Sequence, residues 1–398
     1  MQGRIRPSKA AGKVHYAIRE VVVLAKKLEA EGRRILYLNI GDPNAYDYDL
    51  APIAIEAGCK ALRSAKNGYA NSLGLEEAIE AILKDAKERQ GISSALGAFT
   101  GNGASECIDL CITALVDPSD NILLPCPTYP LYSAILNRLG VEARYYKLDE
   151  AKAWEPDVEH MASLIDANTR AVVVINPNNP TGSVYSKETL LRIADLAKSH
   201  NLLVFNDEIY DRLILDKDKE HCCLASLEPE LSVVTFNGLS KSFLGPGLRV
   251  GWGVYSGIRE NLHDYIEAVN RLLRSRLSAS HPMQYAIAPC LQEPSTHLTG
   301  FIDSLKERRD LCIKRIAQIP GLSCQSPAGS FYAFVRVEGE SDDKAWCRRL
   351  LEEHGVVVVP GSGFGYTEAN AVYFRIVFLP PLEILNEAFD KIAKYMQD

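Results

Sequence analysis

The chain has 398 residues, of which 47% are hydrophobic and 24% are charged, and this composition is typical of a water-soluble protein with two to three domains. No run of about 18 apolar residues could cross a bilayer, and the basic first residues lack the apolar segment of a secretory signal. The formal net charge of −7 disfavours a nucleic acid as partner. The ten cysteines include no CxxC pair, so we expect reduced thiols, a cytoplasmic location and no metal.

The first predicted element is a helix over residues 16–31, where apolar residues recur at helical spacing until Gly32 ends the pattern. A strand-like segment follows at 35–40, and the Gly-Asp-Pro string at 41–43 predicts a turn. An amphipathic helix is predicted over residues 73–90.

Apolar segments then alternate with helical patterns for about 150 residues. Strands this apolar leave no face for water, so they predict a mainly parallel, seven-stranded sheet with helices on both sides, an α/β/α architecture. The predicted strands are 98–100, 121–124, 143–146, 171–175, 202–205, 233–236 and 250–255.

After residue 255 the pattern changes to two long helices and then to a separate set of strands and helices. This predicts a second, smaller α+β domain that the N-terminal segment joins. The expected division is an N-terminal segment over 1–50, a large domain over 51–285 and a small domain over 286–398.

Two turns of the predicted large domain suit an anion. Residues 100–106, TGNGASE, lie between a strand and a helix, where backbone N–H groups attract negative charge, although glycines are also common there for steric reasons. In the stretch 236–252, Lys241 follows an apolar strand, and Arg249 comes eight residues later beyond a Gly-Pro-Gly turn. An amine near a guanidinium indicates a site for something anionic.

Three other strands end in polar or aromatic groups. In INPNNPTG at 175–182, Asn179 precedes a proline, which holds it extended with its amide available. Asp207 ends a buried strand and needs a cation or several donors, unless it only caps a helix; Tyr210, three residues on, can face the same side. Tyr129 follows the strand at 121–124, where it would stack on a flat ligand or simply pack.

Arg375 is the one charged residue in the apolar string YFRIVF. A buried guanidinium must be paired, and its planar fork suits a carboxylate. A salt bridge between domains would satisfy it equally well.

Together these groups would serve a flat ring with a phosphate, a ring nitrogen that needs a carboxylate, a phenolic oxygen and an aldehyde that needs a lysine. Pyridoxal 5′-phosphate has all four features. From about residue 15 onward the chain resembles the class I/II aminotransferases of fold-type I. In the strings YAIR, NIGDP, INPNNPTG, DEIYD, NGLSK, GSGFG and FRIVFLPP it resembles their alanine aminotransferase branch.

The resemblance implies pyridoxal 5′-phosphate as cofactor, a homodimer, and a catalytic set of Lys241, Asp207 and Tyr210. Lys241 would form the internal aldimine and then move the proton between the substrate Cα and the cofactor C4′, while Asp207 would pair with the ring nitrogen. The other implied roles are Asn179 and Tyr210 at the ring oxygen, Tyr129 stacked on the ring, Gly103, Ala104, Ser105, Ser240 and Arg249 at the phosphate, Tyr69 at the phosphate across the dimer interface, Arg375, Asn179 and Gly41 at the substrate carboxylate, and Tyr16 in a segment that closes over a small substrate.

One position departs from the pattern of many members, which carry a serine for the phosphate three residues before the lysine. Here that residue is Gly238, as it tends to be in the alanine and tyrosine aminotransferase branches. Ser240 is the expected replacement.

The resulting expectation is a ping-pong transfer of the amino group of L-alanine to 2-oxoglutarate, which gives pyruvate and L-glutamate. Aromatic, aspartate or diaminopimelate aminotransferases, a β-lyase and aminocyclopropane carboxylate synthase remain open on the same apparatus. Arg276 lies where aspartate-type enzymes bind a side-chain carboxylate, but it also fits a plain helix face. A regulator with this fold usually carries a DNA-binding module ahead of it, and only about fifteen residues precede the resemblance here.

Overall fold

The structure is a computed structural model that describes residues 5–13, 17–293, 296–368 and 371–397. Its strands fall into three sheets. In chain order the strands are β1 (Leu36–Tyr37), β2 (Ala95–Asn102), β3 (Asn121–Cys126), β4 (Glu142–Asp149), β5 (Glu155–Pro156), β6 (Thr169–Ile175), β7 (Leu203–Asp207), β8 (Val233–Gly238), β9 (Val250–Ser256), β10 (Leu322–Ser323), β11 (Tyr332–Glu338), β12 (Val356–Val357), β13 (Val359–Pro360) and β14 (Ala371–Val377).

Helices surround the sheets, and single 3₁₀ turns lie at Ala11–Lys13, Pro43–Ala45, Glu150–Lys152, Pro246–Leu248 and Gly361–Phe364. The α-helices are α1 (Ala17–Ala30), α2 (Pro52–Arg63), α3 (Glu76–Glu88), α4 (Ala104–Leu115), α5 (Pro130–Leu139), α6 (Val158–Ser163), α7 (Lys187–Ser199), α8 (Leu224–Leu227), α9 (Leu239–Ser242), α10 (Arg259–Arg276), α11 (His281–Gln284), α12 (Ile287–Gln292), α13 (His297–Ala317), α14 (Asp343–His354) and α15 (Leu382–Tyr395). Among the described residues no helix is both long enough and apolar enough to span a bilayer.

The largest sheet has the order β2-β9-β8-β7-β6-β3-β4-β5. It contains all seven predicted strands, and the pairs from β8 through β4 are parallel, which confirms the mainly parallel sheet. The eighth strand, β5, is a two-residue edge that is too short to show a periodicity. β9 runs antiparallel to both β8 and β2. Residues 239–249, which join β8 to β9, hold only the single-turn helix α9 and a 3₁₀ turn, and this connection is too short for a parallel crossover.

The alternation of side chains in β6 shows why the strands are apolar throughout. Val172 and Val174 pack into one core cluster, whereas Val173 and Ile175 pack into another on the opposite face. All four side chains are buried. The sheet is therefore covered on both faces, as expected for parallel strands.

A smaller antiparallel sheet has the order β10-β11-β14-β13. The N-terminal segment lies against this part of the chain, since Leu36 pairs with Val356 in a parallel two-stranded sheet. Trp154, beside the large sheet, packs edge-on against Phe334 of the smaller one at 5.7 Å between ring centres. The domain limits at residues 50 and 285 stay predictions.

Candidate active site

The segment 39–41 brings two cations together. Lys241 lies in α9, directly after β8, and its Nζ donates to the carbonyl oxygen of Gly41 at 2.7 Å. Arg375 comes from β14 of the smaller sheet, and its Nη2 donates to the carbonyl oxygen of Asn39 at 2.7 Å. An amine from the helix after β8 and a guanidinium from the smaller sheet thus meet at one short piece of backbone.

The surroundings of Lys241 favour its neutral form. Burial lowers the pKa of the amine to about 8, the positive charges of Arg375 and Arg249 add to this effect, and Asp42 opposes it. The Nζ atom lies 5.3 Å from the ring centre of Phe331. A neutral amine is a nucleophile and a proton acceptor, and the lowered pKa gives Lys241 a larger neutral fraction near neutral pH than an ordinary lysine has.

Asp207 ends β7 and is 4% exposed. It accepts a hydrogen bond from the Tyr132 hydroxyl at 3.0 Å and one from the Ile209 N–H at 3.3 Å. Burial raises the pKa of this carboxyl to about 6, against the lowering effect of those two bonds. The group is thus ionised at neutral pH and would be stabilised by a positive partner.

Tyr132, which donates to Asp207, was not singled out from the sequence. It lies on α5, three residues after Tyr129, in a helix that starts at Pro130. That spacing places both tyrosines on one side of the first turn, and it was the available signal. Burial raises the pKa of the Tyr132 and Tyr210 phenols, and nearby Tyr129 raises both further. The structure therefore brings all three tyrosines together.

Arg375 is held on its edges and its faces. It is 1% exposed, and its Nη1 donates to Asn179 Oδ1 at 3.0 Å. The ring centres of Tyr332 and Phe364 lie 4.3 and 4.9 Å from the guanidinium carbon. The hydroxyl of Tyr332 is also 2.9 Å from that of Tyr210. A planar cation fixed in this way is suited to binding a carboxylate.

The start of α4 forms a cradle with Arg249. Gly103 has a positive φ of 83°, and a Cβ there would lie 2.5 Å from Arg249 Nη2. That Nη2 atom donates to the Asn102 carbonyl oxygen at 3.1 Å. A Cβ on Gly251 would lie 2.1 Å from the backbone nitrogen of Ala104. A guanidinium thus sits beside the N–H groups that begin a 12-residue helix, an arrangement that fits a phosphate.

Gly238 has a structural reason in this chain. A Cβ there would lie 2.6 Å from the carbonyl oxygen of Val250 on the neighbouring strand, so a serine does not fit without a shift of backbone. Ser240 is buried one residue before the lysine, and Ser105 lies in the first turn of α4. Their part in phosphate binding stays a prediction.

Tyr69 and Tyr16 lie elsewhere. The side chain of Tyr69 is 84% exposed, so a single chain does not bring it to the site. Tyr16 falls outside the described residues. Arg276 Nη2 donates to the carbonyl oxygens of Ser72 and Thr100 at 3.1 and 3.0 Å, and Arg276 Nη1 lies 3.3 Å from Glu106 Oε2.

The residues present fit pyridoxal 5′-phosphate. Arg249 and the α4 N-terminus would hold its phosphate, Asp207 its ring nitrogen, and Tyr210 with Asn179 its ring oxygen. The 2.5 Å approach that a Cβ at Gly103 would make shows that the cradle depends on glycine. Lys241 would reach the aldehyde.

Comparison with known proteins identifies similar chains over nearly the whole length. A family model described as aminotransferase class I and II matches residues 36–392. The glutamate-pyruvate aminotransferase AlaA of Haemophilus influenzae is 37% identical and covers 94% of this chain and 93% of its own. An alanine aminotransferase of Mycobacterium bovis is 37% identical, with 94% and 88% covered. The structure of alanine aminotransferase from Pyrococcus furiosus matches with a TM-score of 0.94 at 38% identity, over 98% of this chain and 100% of the other.

Proposed function

Because the chain belongs to the class I and II aminotransferases, we propose that it transfers the amino group of L-alanine to 2-oxoglutarate and forms pyruvate and L-glutamate. Members of this family use pyridoxal 5′-phosphate. The relatives named glutamate-pyruvate aminotransferase and alanine aminotransferase, each 37% identical, support the choice of substrates.

The observation that carries the proposal is the meeting of Lys241 and Arg375 at the segment 39–41. A 2-amino acid carries its carboxylate and its amino group on one carbon. A guanidinium that binds the carboxylate therefore fixes where the Cα–H bond lies, and the lysine amine is held close to that place. Positioning of this kind supplies a large part of an enzyme's rate enhancement.

The chain's own groups have distinct tasks in such a reaction. When bound, the cofactor supplies an electron-withdrawing ring that makes the Cα–H bond acidic. Lys241 Nζ, with its pKa lowered to about 8, would accept the proton from the substrate Cα and deliver it to the cofactor C4′. Asp207, ionised above pH 6, holds the proton on the ring nitrogen, and Tyr132 keeps the Asp207 carboxylate in place. Arg375 binds the carboxylate.

A panel of amino acids tests the substrate choice. Each is added to the pyridoxal-loaded protein while the absorbance of the bound cofactor is followed. We expect L-alanine to bleach it rapidly and 2-oxoglutarate to restore it. A response to tyrosine or diaminopimelate alone would exclude the alanine reaction, and no response to any amino acid would exclude a transaminase. Lys241→Ala should bind the cofactor but lose turnover.

We propose that the functional unit is a homodimer in which Tyr69 reaches the phosphate site of the partner subunit. Its 84% exposure supports this, together with that of Ile55, Leu62 and Leu277 at 46%, 49% and 56%, because exposed apolar side chains are typical of interfaces. Mixing of Tyr69→Ala and Lys241→Ala subunits tests it. If Tyr69 acts across the interface, mixed dimers regain one intact site, whereas activity should not return if it acts within its own chain.

We also propose a cytoplasmic location. All ten cysteines carry free thiols, and reduced thiols are typical of that compartment. Fractionation of the producing cells checks this, and recovery with secreted proteins would contradict it.

A further inference from the structure

Tyr332, at the start of β11, contacts three groups of the candidate site and was not singled out from the sequence. Its ring centre lies 4.3 Å from the guanidinium carbon of Arg375, and its hydroxyl lies 2.9 Å from that of Tyr210. A Cβ on Gly41 would come within 2.2 Å of the same hydroxyl. The residue is 3% exposed, so these contacts are shielded from water.

We propose that Tyr332 is a positioning residue with two separable tasks. Its ring fixes the Arg375 guanidinium for the substrate carboxylate, and its hydroxyl fixes the Tyr210 hydroxyl for the ring oxygen of the cofactor. This inference rests on the proposed function, because the tasks of Arg375 and Tyr210 belong to it.

The ring task follows from the surroundings of Arg375. The hydrogen bonds from Arg375 to Asn179 and Asn39 end on neutral oxygens, and these bonds orient the guanidinium. The face of a tyrosine attracts a cation, and more strongly where water is excluded. The Tyr332 face therefore holds the plane of the guanidinium that an incoming carboxylate would meet.

The hydroxyl task follows from the bond between the two phenols. At 2.9 Å one O–H group lies between the oxygens, and the other points elsewhere. When Tyr332 donates, the Tyr210 O–H is directed outward to the ring oxygen. Burial raises the pKa of Tyr210 well above its usual value, so Tyr210 keeps the proton that it must donate.

Gly41 connects the two tasks. The Tyr332 hydroxyl has room only because Gly41 lacks a side chain, and the carbonyl oxygen of Gly41 accepts from Lys241. Tyr332 thus also packs against the backbone that holds the lysine. One side chain from the smaller sheet is in contact with the groups proposed for substrate, cofactor and lysine.

Two replacements separate the tasks in the full-length, pyridoxal-loaded protein. Tyr332→Phe removes only the hydroxyl, whereas Tyr332→Leu removes the ring as well, with Tyr332→Met as a second ring-free variant if leucine prevents folding. Tyr146→Phe is the control, since it removes another buried hydroxyl, one that donates to the Val173 carbonyl oxygen at 2.8 Å in the large sheet.

Three quantities are measured. The first is the affinity for propionate, a carboxylate without an amine, and the second is the pH midpoint of the cofactor absorbance without substrate. The third is kcat and KM for L-alanine and for 2-oxoglutarate. Tyr332→Phe should keep propionate affinity within about twofold and raise the midpoint by about half a unit or more, because a misdirected Tyr210 stabilises the anionic ring oxygen less well. The ring-free variants should also lose about tenfold in propionate affinity and show a higher KM. The control should match the wild type in all three.

Equal losses of propionate affinity in Tyr332→Phe and the ring-free variants would overturn the ring task. An unchanged midpoint in Tyr332→Phe would overturn the hydroxyl task. Failure of the alanine reaction is a different result, since the wild type would then lack turnover while the propionate and absorbance differences between variants persisted.

Discussion

Two buried aspartates four residues apart have carboxyl pKa values that are shifted in opposite directions. Asp207 and Asp211 are 4% and 5% exposed, yet the pKa of Asp207 is raised to about 6 and that of Asp211 is lowered. Burial acts upward on both. At Asp211 the upward effect of burial is outweighed by several groups together: Arg89, whose Nη2 lies 2.8 Å from Oδ2, and then His221, Arg212 and Asn237.

The difference separates the two sides of the turn that follows β7. On the side away from the site, Arg89 also bridges to Asp85 at 2.7 Å, and Glu208 accepts from Gln90 at 2.8 Å. On the site side, the donors to Asp207 among the described residues are a phenol and a backbone N–H, both neutral. A carboxylate kept ionised beside neutral donors suits a cation from outside the chain, as a protonated ring nitrogen would be.

The largest expected effect is a loss of stability when the Asp211–Arg89 ion pair is broken. Asp211→Asn removes the buried carboxylate of this ion pair, while Arg89 keeps 32% of its side chain exposed and its bridge to Asp85, so we expect a loss of about 3 kcal/mol, the lower end of the cost of breaking a buried pair. Urea unfolding of the cofactor-free protein at pH 7 measures this. A loss below about 1 kcal/mol would show that Arg89 is satisfied without Asp211.

Asp207→Asn should change the free energy of unfolding in the opposite direction and stabilise the protein. The folded protein holds the Asp207 proton more tightly than the unfolded chain does, so the wild type loses stability as the pH rises from about 4 to about 6. The variant lacks that loss and should be more stable by up to about 3 kcal/mol at pH 7, although it should bind pyridoxal 5′-phosphate more weakly. Unfolding of both proteins at pH 4 to 8 checks this, and parallel curves would refute it.

Tyr132→Phe should have the smallest effect. It removes the hydroxyl donor to Asp207, so the carboxyl pKa should rise further and stability above pH 6 should fall by about 1 kcal/mol. The loss should shrink toward pH 4, where Asp207 is protonated. Tyr146→Phe, which loses a hydrogen bond to a backbone carbonyl, serves as the control with no such pH dependence. A pH-independent loss in Tyr132→Phe would mean that the bond does not act through the carboxylate.

The sequence was sufficient where a polar residue follows an apolar strand. Seven of the eight strands of the main sheet were predicted, because parallel strands that are buried on both faces consist of continuous apolar residues. Lys241, Asp207 and Asn179 stand at the ends of such runs, and the carboxyl ends of parallel strands share one edge of a sheet. Arg375 was visible as a cation within an apolar strand. The structure brings these residues together, while their roles remain proposals.

The supporting contacts were not visible for a different reason. Tyr132 and Tyr332 look like ordinary packing residues, and their partners lie 75 and 122 residues away in sequence. No local spacing reports on such pairs. The contact proposed for Tyr69 is with a second chain, so the structure of one chain does not show it.

The pairing of β2 with β9 has a consequence for how the protein is made. Asn102 of β2 pairs with Val250 of β9, so β2 leaves the ribosome about 150 residues before its partner. At usual rates of synthesis this is a delay on the order of 10–30 s. Through that interval one edge of β2 has no strand to pair with, and such edges invite association with other chains. The cradle at the start of α4, which includes Asn102 of β2 and Gly251 of β9, is completed only at the end of that delay.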